Sequence, residues 1–187
     1  MQNKDSIGVV VGLLLLMLIT RSQHFAAMTH LPDASWAVFF LGGMLVRVGW
    51  GFPAFLLAAV GADALAVYGL AGNGACVTTA YLGLIPAYYA LWWSGRCCSA
   101  ATTFGRRGLM ALLGGGIAEL LSSGSYWWLN WMREGYPEQD VPALLGRQWH
   151  YLAMDMTSMF GYLVMSVMMY HLLVYLLAAM RDLPHEH

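Results

Sequence analysis

The sequence predicts an all-α integral membrane protein: a compact, single-domain bundle of six transmembrane helices over residues 1–187, with both ends on the cytoplasmic side. Three observations carry that expectation. Of the 187 residues, 59% are hydrophobic and 10% charged, whereas a water-soluble domain has about a quarter of its residues charged. The mean hydropathy of +0.59 is concentrated in runs approaching the roughly 20 apolar residues that a bilayer-crossing helix requires. The links between runs are short, leaving no room for a soluble module.

The first run, 6–23, lacks a small-residue cleavage site and is followed by further runs, so it is read as a retained helix and not a signal peptide. Gly8 and Gly12 lie four apart on one of its faces. This small-xxx-small stripe suits close packing within the bundle, and equally docking of a partner membrane protein. The second and third runs, 34–49 and 52–71, are joined by a very short turn. The third contains Asp63, an ionisable residue inside a span and therefore a pointer to function, about two turns before the run ends, where it could reach an outward cavity. A polar, glycine-rich break then carries Gly72, Asn73, Gly74 and Cys76. Its glycines permit a sharp turn or a close approach to a ligand. The fourth run, 76–94, starts at Cys76, where the positive end of the helix dipole favours the thiolate. From the segment alone, a small apolar filler is the alternative role for this sulfur. The fifth run, 108–131, holds Glu119 beside Gly114, Gly115 and Gly116, a setting for a structural bond to a neighbouring backbone or to Ser122. The sixth, 150–180, is long enough to project beyond the bilayer.

Basic residues orient the bundle. With the N-terminus cytoplasmic, six of the nine (Lys4, Arg47, Arg96, Arg106, Arg107 and Arg181) fall inside, while Arg21, Arg133 and Arg147 fall outside. The outer links then collect groups able to bind something: Arg21, His24, His30 and Asp33 in the first, Asn73 and Cys76 in the second, and Arg147, His150 and Asp155 in or beside the third. The inner side holds Cys97 and Cys98, read as two reduced thiols. Trp127, Trp128, Trp131, Trp149 and Tyr151 gather at the outer ends of the last two runs, as in an interfacial belt. A net charge of −1 and a pI near 6.6 give no sign of a nucleic-acid partner, and three cysteines make no disulfide framework.

Six short-looped helices with a polar outer face resemble the substrate-binding S-components of energy-coupling-factor (ECF) vitamin transporters. The stretches RSQHF at 21–25 and LPDASWAVFFLGG at 31–43, together with Asp63 and NGACVTTAY at 73–81, look like the BtuM-type solitary S-components specific for cobalamin. The resemblance implies uptake of cobalamin (vitamin B12) across a bacterial inner membrane, with Cys76 as the cobalt ligand. It implies that His24, Asp63 and Tyr81 line the corrin pocket, joined by an arginine ahead of the sixth span, for which Arg147 is the candidate. It also associates Cys76 with decyanation of cyanocobalamin, and implies transport either with a shared ECF energising module, for which Gly8 and Gly12 are the candidate docking face, or without a dedicated one.

Coordination chemistry agrees with that expectation. A corrin already supplies four equatorial nitrogens, so one soft thiolate from Cys76 is enough, and no zinc-like cluster of Cys and His is required. The corrin amides and nucleotide phosphate call for hydrogen-bonding groups, which Asn73, Arg147, His24 and Asp63 provide. No further metal is expected. Two other readings stay open at the level of sequence. One is an intramembrane enzyme with Cys76 as nucleophile and His24 or His150 as base. The other is a haem or metal protein using His24, His30, His150 or His171, the last more simply a residue that bonds a neighbouring helix.

Overall fold

The structure, a computed structural model, describes residues 3–26, 32–65, 82–99, 103–134 and 141–181. Their regular structure is helical, with six helices in the order α1 (Asn3–Ala26), α2 (Ser35–Leu45), α3 (Gly51–Ala64), α4 (Leu84–Ser99), α5 (Phe104–Glu134) and α6 (Val141–Arg181). Leu13, Met17, Thr20 and Arg21 recur at three- and four-residue intervals, the period of one helix face, and all four are buried. Ile7, Val11, Leu15 and Ile19 occupy the other face and are exposed. α1 thus places its one arginine on the inner, not the outer, surface.

The short helix α2 is the centre of the bundle. It touches each of the other five helices, and Ser35, Ala37, Val38, Phe39, Phe40, Leu41, Gly42 and Gly43 are all buried. Close approach to α4 depends on missing side chains. A Cβ on Gly43 would run into the Trp92 carbonyl, and one on Gly95 would run into the Phe40 carbonyl. Side-chain volume there is replaced by direct backbone contact. Aromatic rings fill the space between α2, α3 and α4: Phe39 stacks on Tyr88 with centroids 4.2 Å apart, while Phe55 tilts against Trp92 at 5.6 Å. On the far side of α4 lies α5, where Gly114 faces Ser94 and Gly115 faces Met156 of α6.

Helix ends depart from the apolar runs for local reasons. α2 stops at Leu45, four residues short of the expected 34–49, because Val46 turns extended (φ −93°, ψ 108°) and the chain reverses through Gly49 and Trp50. Pro53 then sits in the first turn of α3, where a missing N–H costs nothing. The described part of α4 begins at Leu84, with Pro86 again in the first turn; the expected start at 76 falls in residues 66–81, outside the described set. α5 and α6 run past the expected 108–131 and 150–180 at both their facing ends, to Glu134 and back to Val141.

Three sequence expectations are corrected. Gly8 and Gly12 are exposed and, among the described residues, have no atom within 4 Å of a built Cβ, so they take no part in the packing of the six described helices. Glu119 is buried as expected, but the hydroxyl that bonds its carboxylate is Ser123, at 2.6 Å, and not Ser122. His171 is exposed and lies beside the ring of Tyr170 on its own helix, with centroids 5.6 Å apart, instead of bonding another helix. Among the described residues, one helical stretch, Trp149–Leu172 with a mean hydropathy of 1.4, is long and apolar enough to cross a membrane on its own. α2 and α3, at 11 and 14 residues, reach roughly 16 and 21 Å.

Candidate functional site

The polar centre of the bundle is built around Arg21. It falls in the last part of α1, in phase with Leu13 and Met17, so the helix carries its guanidinium into the core. There it meets Asp63, which α3 presents in phase with Phe55 and Ala59. The pairing is two-pronged: Nε donates to Asp63 Oδ1, and a second terminal nitrogen donates to Oδ2 at 2.6 Å. Such a fork fits a carboxylate as no ammonium does. The remaining terminal nitrogen donates to Ser35 Oγ on α2 at 2.7 Å and to the Tyr88 hydroxyl on α4 at 2.8 Å. One side chain therefore ties four helices together.

Arg21 and Asp63 are 6% and 3% exposed. Burial at that depth is tolerable for a charge only when it is paired and hydrogen-bonded, and here all three guanidinium nitrogens and both Asp63 oxygens are bonded. Among the described residues Arg21 is the one buried Lys or Arg. A second carboxylate, Asp33, stands 3.6 Å from the same guanidinium and is more open, with a third of its side chain accessible. Asp33 accepts bonds from the Ser35 hydroxyl at 2.7 Å and the Ser35 backbone N–H at 3.0 Å. It thereby occupies the positive N-terminal end of α2. Among the described residues the cluster sets one cation between two carboxylates, with Asp33 on its open side.

That side is a groove of about 830 Å³ between α6 and the residues just before α2, lined by Asp33, His150, Asp155, Ser158 and Tyr162 over apolar walls that include Met154 and Met165. The Tyr162 hydroxyl closes its floor by donating to the Pro32 carbonyl at 2.7 Å. Volume, apolar walls and a few convergent polar groups are the properties of a small-molecule site. Among the described residues, no group of three or more His, Cys, Asp or Glu could hold a metal ion.

Of the residues expected to line a corrin pocket, Asp63 is the one with a described side chain, while Asp33, His150 and Asp155, read as groups able to bind something, line the groove. Asp63 turns to Arg21 and does not line the groove. His24 lies on α1 and Arg147 on α6, with their side chains outside the described set; Asn73, Cys76 and Tyr81 also fall outside it. Cys97 and Cys98 are both free thiols, the first exposed and the second buried. Sequence reasoning missed the roles of Arg21, Ser35, Tyr88 and Tyr162. Helical phase held the signal for Arg21, and phase with Leu91 and Trp92 held it for Tyr88. No protein-family model and no curated protein matches the sequence.

Proposed function

We propose that this chain is a membrane-embedded uptake protein for cobalamin, of the solitary S-component type. In this reading six helices cross a bacterial inner membrane with both ends in the cytoplasm, and vitamin is taken up at the outer face. The observation that carries the membrane placement is the amount of apolar side chain left on the surface of the described helices, around a few buried charges. Charged Arg21, Asp63 and Glu119 are buried, while Leu57, Leu120, Trp93, Met168 and Tyr175 are between 59% and 76% exposed. Water-soluble monomers do not present apolar surface on this scale, whereas lipid favours it and drives charge inward. Exposed Trp127, Trp128, Trp149 and Tyr151 support an aromatic belt at one end.

Cobalamin as the substrate is supported by the wording of residues 21–43 and 73–81 and by the groove that Asp33 lines. Cys76 supplies the axial sulfur to cobalt, and a thiolate in that position promotes loss of the cyanide ligand from cyanocobalamin. Asn73, Tyr81, His24, Asp63 and Arg147 serve the corrin's amides and phosphate, directly or through the cluster around Arg21. The uncovered Gly8 and Gly12 on α1 offer a smooth face on which a shared energising module can dock.

The test is cobalamin-dependent growth of a transport-deficient bacterium expressing the wild type or Cys76→Ala, alongside the visible spectrum of the purified proteins. The wild type is expected to restore growth and to purify with a corrinoid whose spectrum changes in Cys76→Ala. A wild type that neither restores growth nor retains corrinoid sinks the assignment. An unchanged spectrum in Cys76→Ala removes the sulfur ligand while leaving transport standing.

A further inference from the structure

We infer that the seam between α3 and α4, at the end of the bundle that the proposed topology puts in the cytoplasm, binds an anionic phospholipid whose phosphate is held by Arg47 and Arg96. The inference goes beyond vitamin binding and rests on the proposed function for the bilayer placement alone.

Tyr89, Trp93 and Arg96 recur at intervals of four and three residues and so share one face of α4. Both rings are exposed, and they stack with centroids 6.3 Å apart. Phe52 of α3 meets Tyr89 edge-on at 5.3 Å, which sets this stripe along the α3 side of α4. Trp92, beside Trp93 in the chain, turns inward and is buried. A Cβ on Gly51, the first residue of α3, would sit 3.1 Å from the Trp92 ring. The Arg96 guanidinium lies over that same ring, 5.8 Å from its centroid. Stacking on the ring holds Arg96 next to the turn between α2 and α3, and that turn carries Arg47 and Trp50, both exposed. Two arginines therefore stand at the end of an aromatic stripe, and among the described residues neither has a carboxylate within ion-pair reach. A free phosphate would account for the arginines and leave the exposed rings without a use. A phospholipid uses both. Its phosphate suits two guanidiniums, each able to grip two oxygens, while its acyl chains follow Trp93 and Tyr89 into the hydrocarbon from the depth that aromatic rings favour. An anionic headgroup is selected over a zwitterionic one, because the latter brings a third cation to the two arginines.

The test uses the full chain in detergent and native mass spectrometry with added phosphatidylglycerol or phosphatidylcholine. The wild type is expected to bind phosphatidylglycerol the more tightly, by on the order of ten-fold. R47Q and R96Q are each expected to weaken that binding about five-fold, the contribution of one arginine near an anionic headgroup, and R47Q/R96Q about 25-fold. R47K/R96K keeps both charges and is expected to stay within about three-fold of the wild type, so that a loss in the glutamine variants reports charge and not a disturbed turn. R106Q removes an exposed arginine from α5, across α4 from the seam, and is expected to change binding by less than about two-fold. Equal binding of the two lipids, unchanged affinity in R47Q/R96Q, or a loss in R106Q as large as in R47Q overturns the site. So does displacement of the lipid by inorganic phosphate at equal concentration and matched ionic strength, which marks a site for the phosphate group alone. Flotation with phosphatidylcholine liposomes is the separate arm. A wild type that stays out of the liposomes defeats the bilayer placement and the lipid site with it, whereas one that floats without lipid preference overturns the site alone. Neither readout involves cobalamin, so failure of the vitamin reading leaves this result standing.

Discussion

Tyr88 shows how much a single side chain can carry in this bundle. Its ring lies flat on Phe39 while its hydroxyl accepts from Arg21, so one residue serves both the apolar core and the buried charge. Tyr88→Phe keeps the stack and removes the acceptor. It is expected to cost about 1.5–3 kcal/mol, the range for a hydrogen bond to a charged group, measured by reversible denaturation in detergent; an unchanged midpoint contradicts the described bond. Cysteines give a second check at this scale. Cys98 is 1% exposed and Cys97 is exposed, so a maleimide is expected to modify Cys97 and spare Cys98 until the protein is unfolded. Whether a polar residue mattered was legible in the sequence for Asp63 and Glu119, which interrupt apolar runs. Arg21 was not legible by the same rule. A charge at the edge of a run reads as the first residue of a loop, and only its phase with Leu13 and Met17 reveals that it points inward. Tyr88 is hidden for another reason: a tyrosine among apolar residues signals packing, and nothing local announces a guanidinium arriving from 67 positions away.

Between helices, the contacts are decided by where a Cβ is absent. Gly43→Ala or Gly95→Ala would drive a methyl group into a carbonyl of the facing helix, with about 1–3 kcal/mol of overpacking and a visible loss of thermal stability. Gly8→Ala and Gly12→Ala meet nothing and are expected to be neutral or slightly stabilising, since alanine is the better helix former by about 1 kcal/mol. If the two pairs of variants denature alike, the α2–α4 contact is wrongly drawn. α6 is held by a narrow stripe in which Met159 is fully buried and Met156 lies over Gly115. Met159→Ala is expected to cost about 2–5 kcal/mol and to open the groove that α6 walls. The number and order of the helices follow from hydropathy runs, but their ends do not. Pro53 and Pro86 mark helix starts that a hydropathy window averages away, and α2 ends where Val46 adopts an extended backbone angle that no composition rule encodes.

As a whole, the described helices enclose a charged cluster within an apolar core and leave many large apolar side chains on their outer surface. An alkaline carbonate wash of membranes containing it is expected to leave it in the pellet, whereas release into the wash contradicts the bilayer placement of the proposed function. Composition carries the expectation behind that placement, because 10% charge is well below the roughly one quarter of a water-soluble domain. The site was legible only in part. Apolar runs reveal which segments are buried, but a groove between Asp33 and Asp155 arises from two helices meeting far apart in sequence, and no spacing along the chain forecasts it. The buried position of α2 also bears on how such a protein is made. In the bilayer placement of the proposed function, α2, with 11 residues of which eight are buried, is too short to lodge stably in a membrane by itself as it emerges from the ribosome. It must be sheltered by α1 and α3 until α4 arrives to close around it. Truncating the nascent chain before α4 should therefore leave an intermediate that membrane quality-control proteases degrade, whereas a chain reaching the end of α5 should survive.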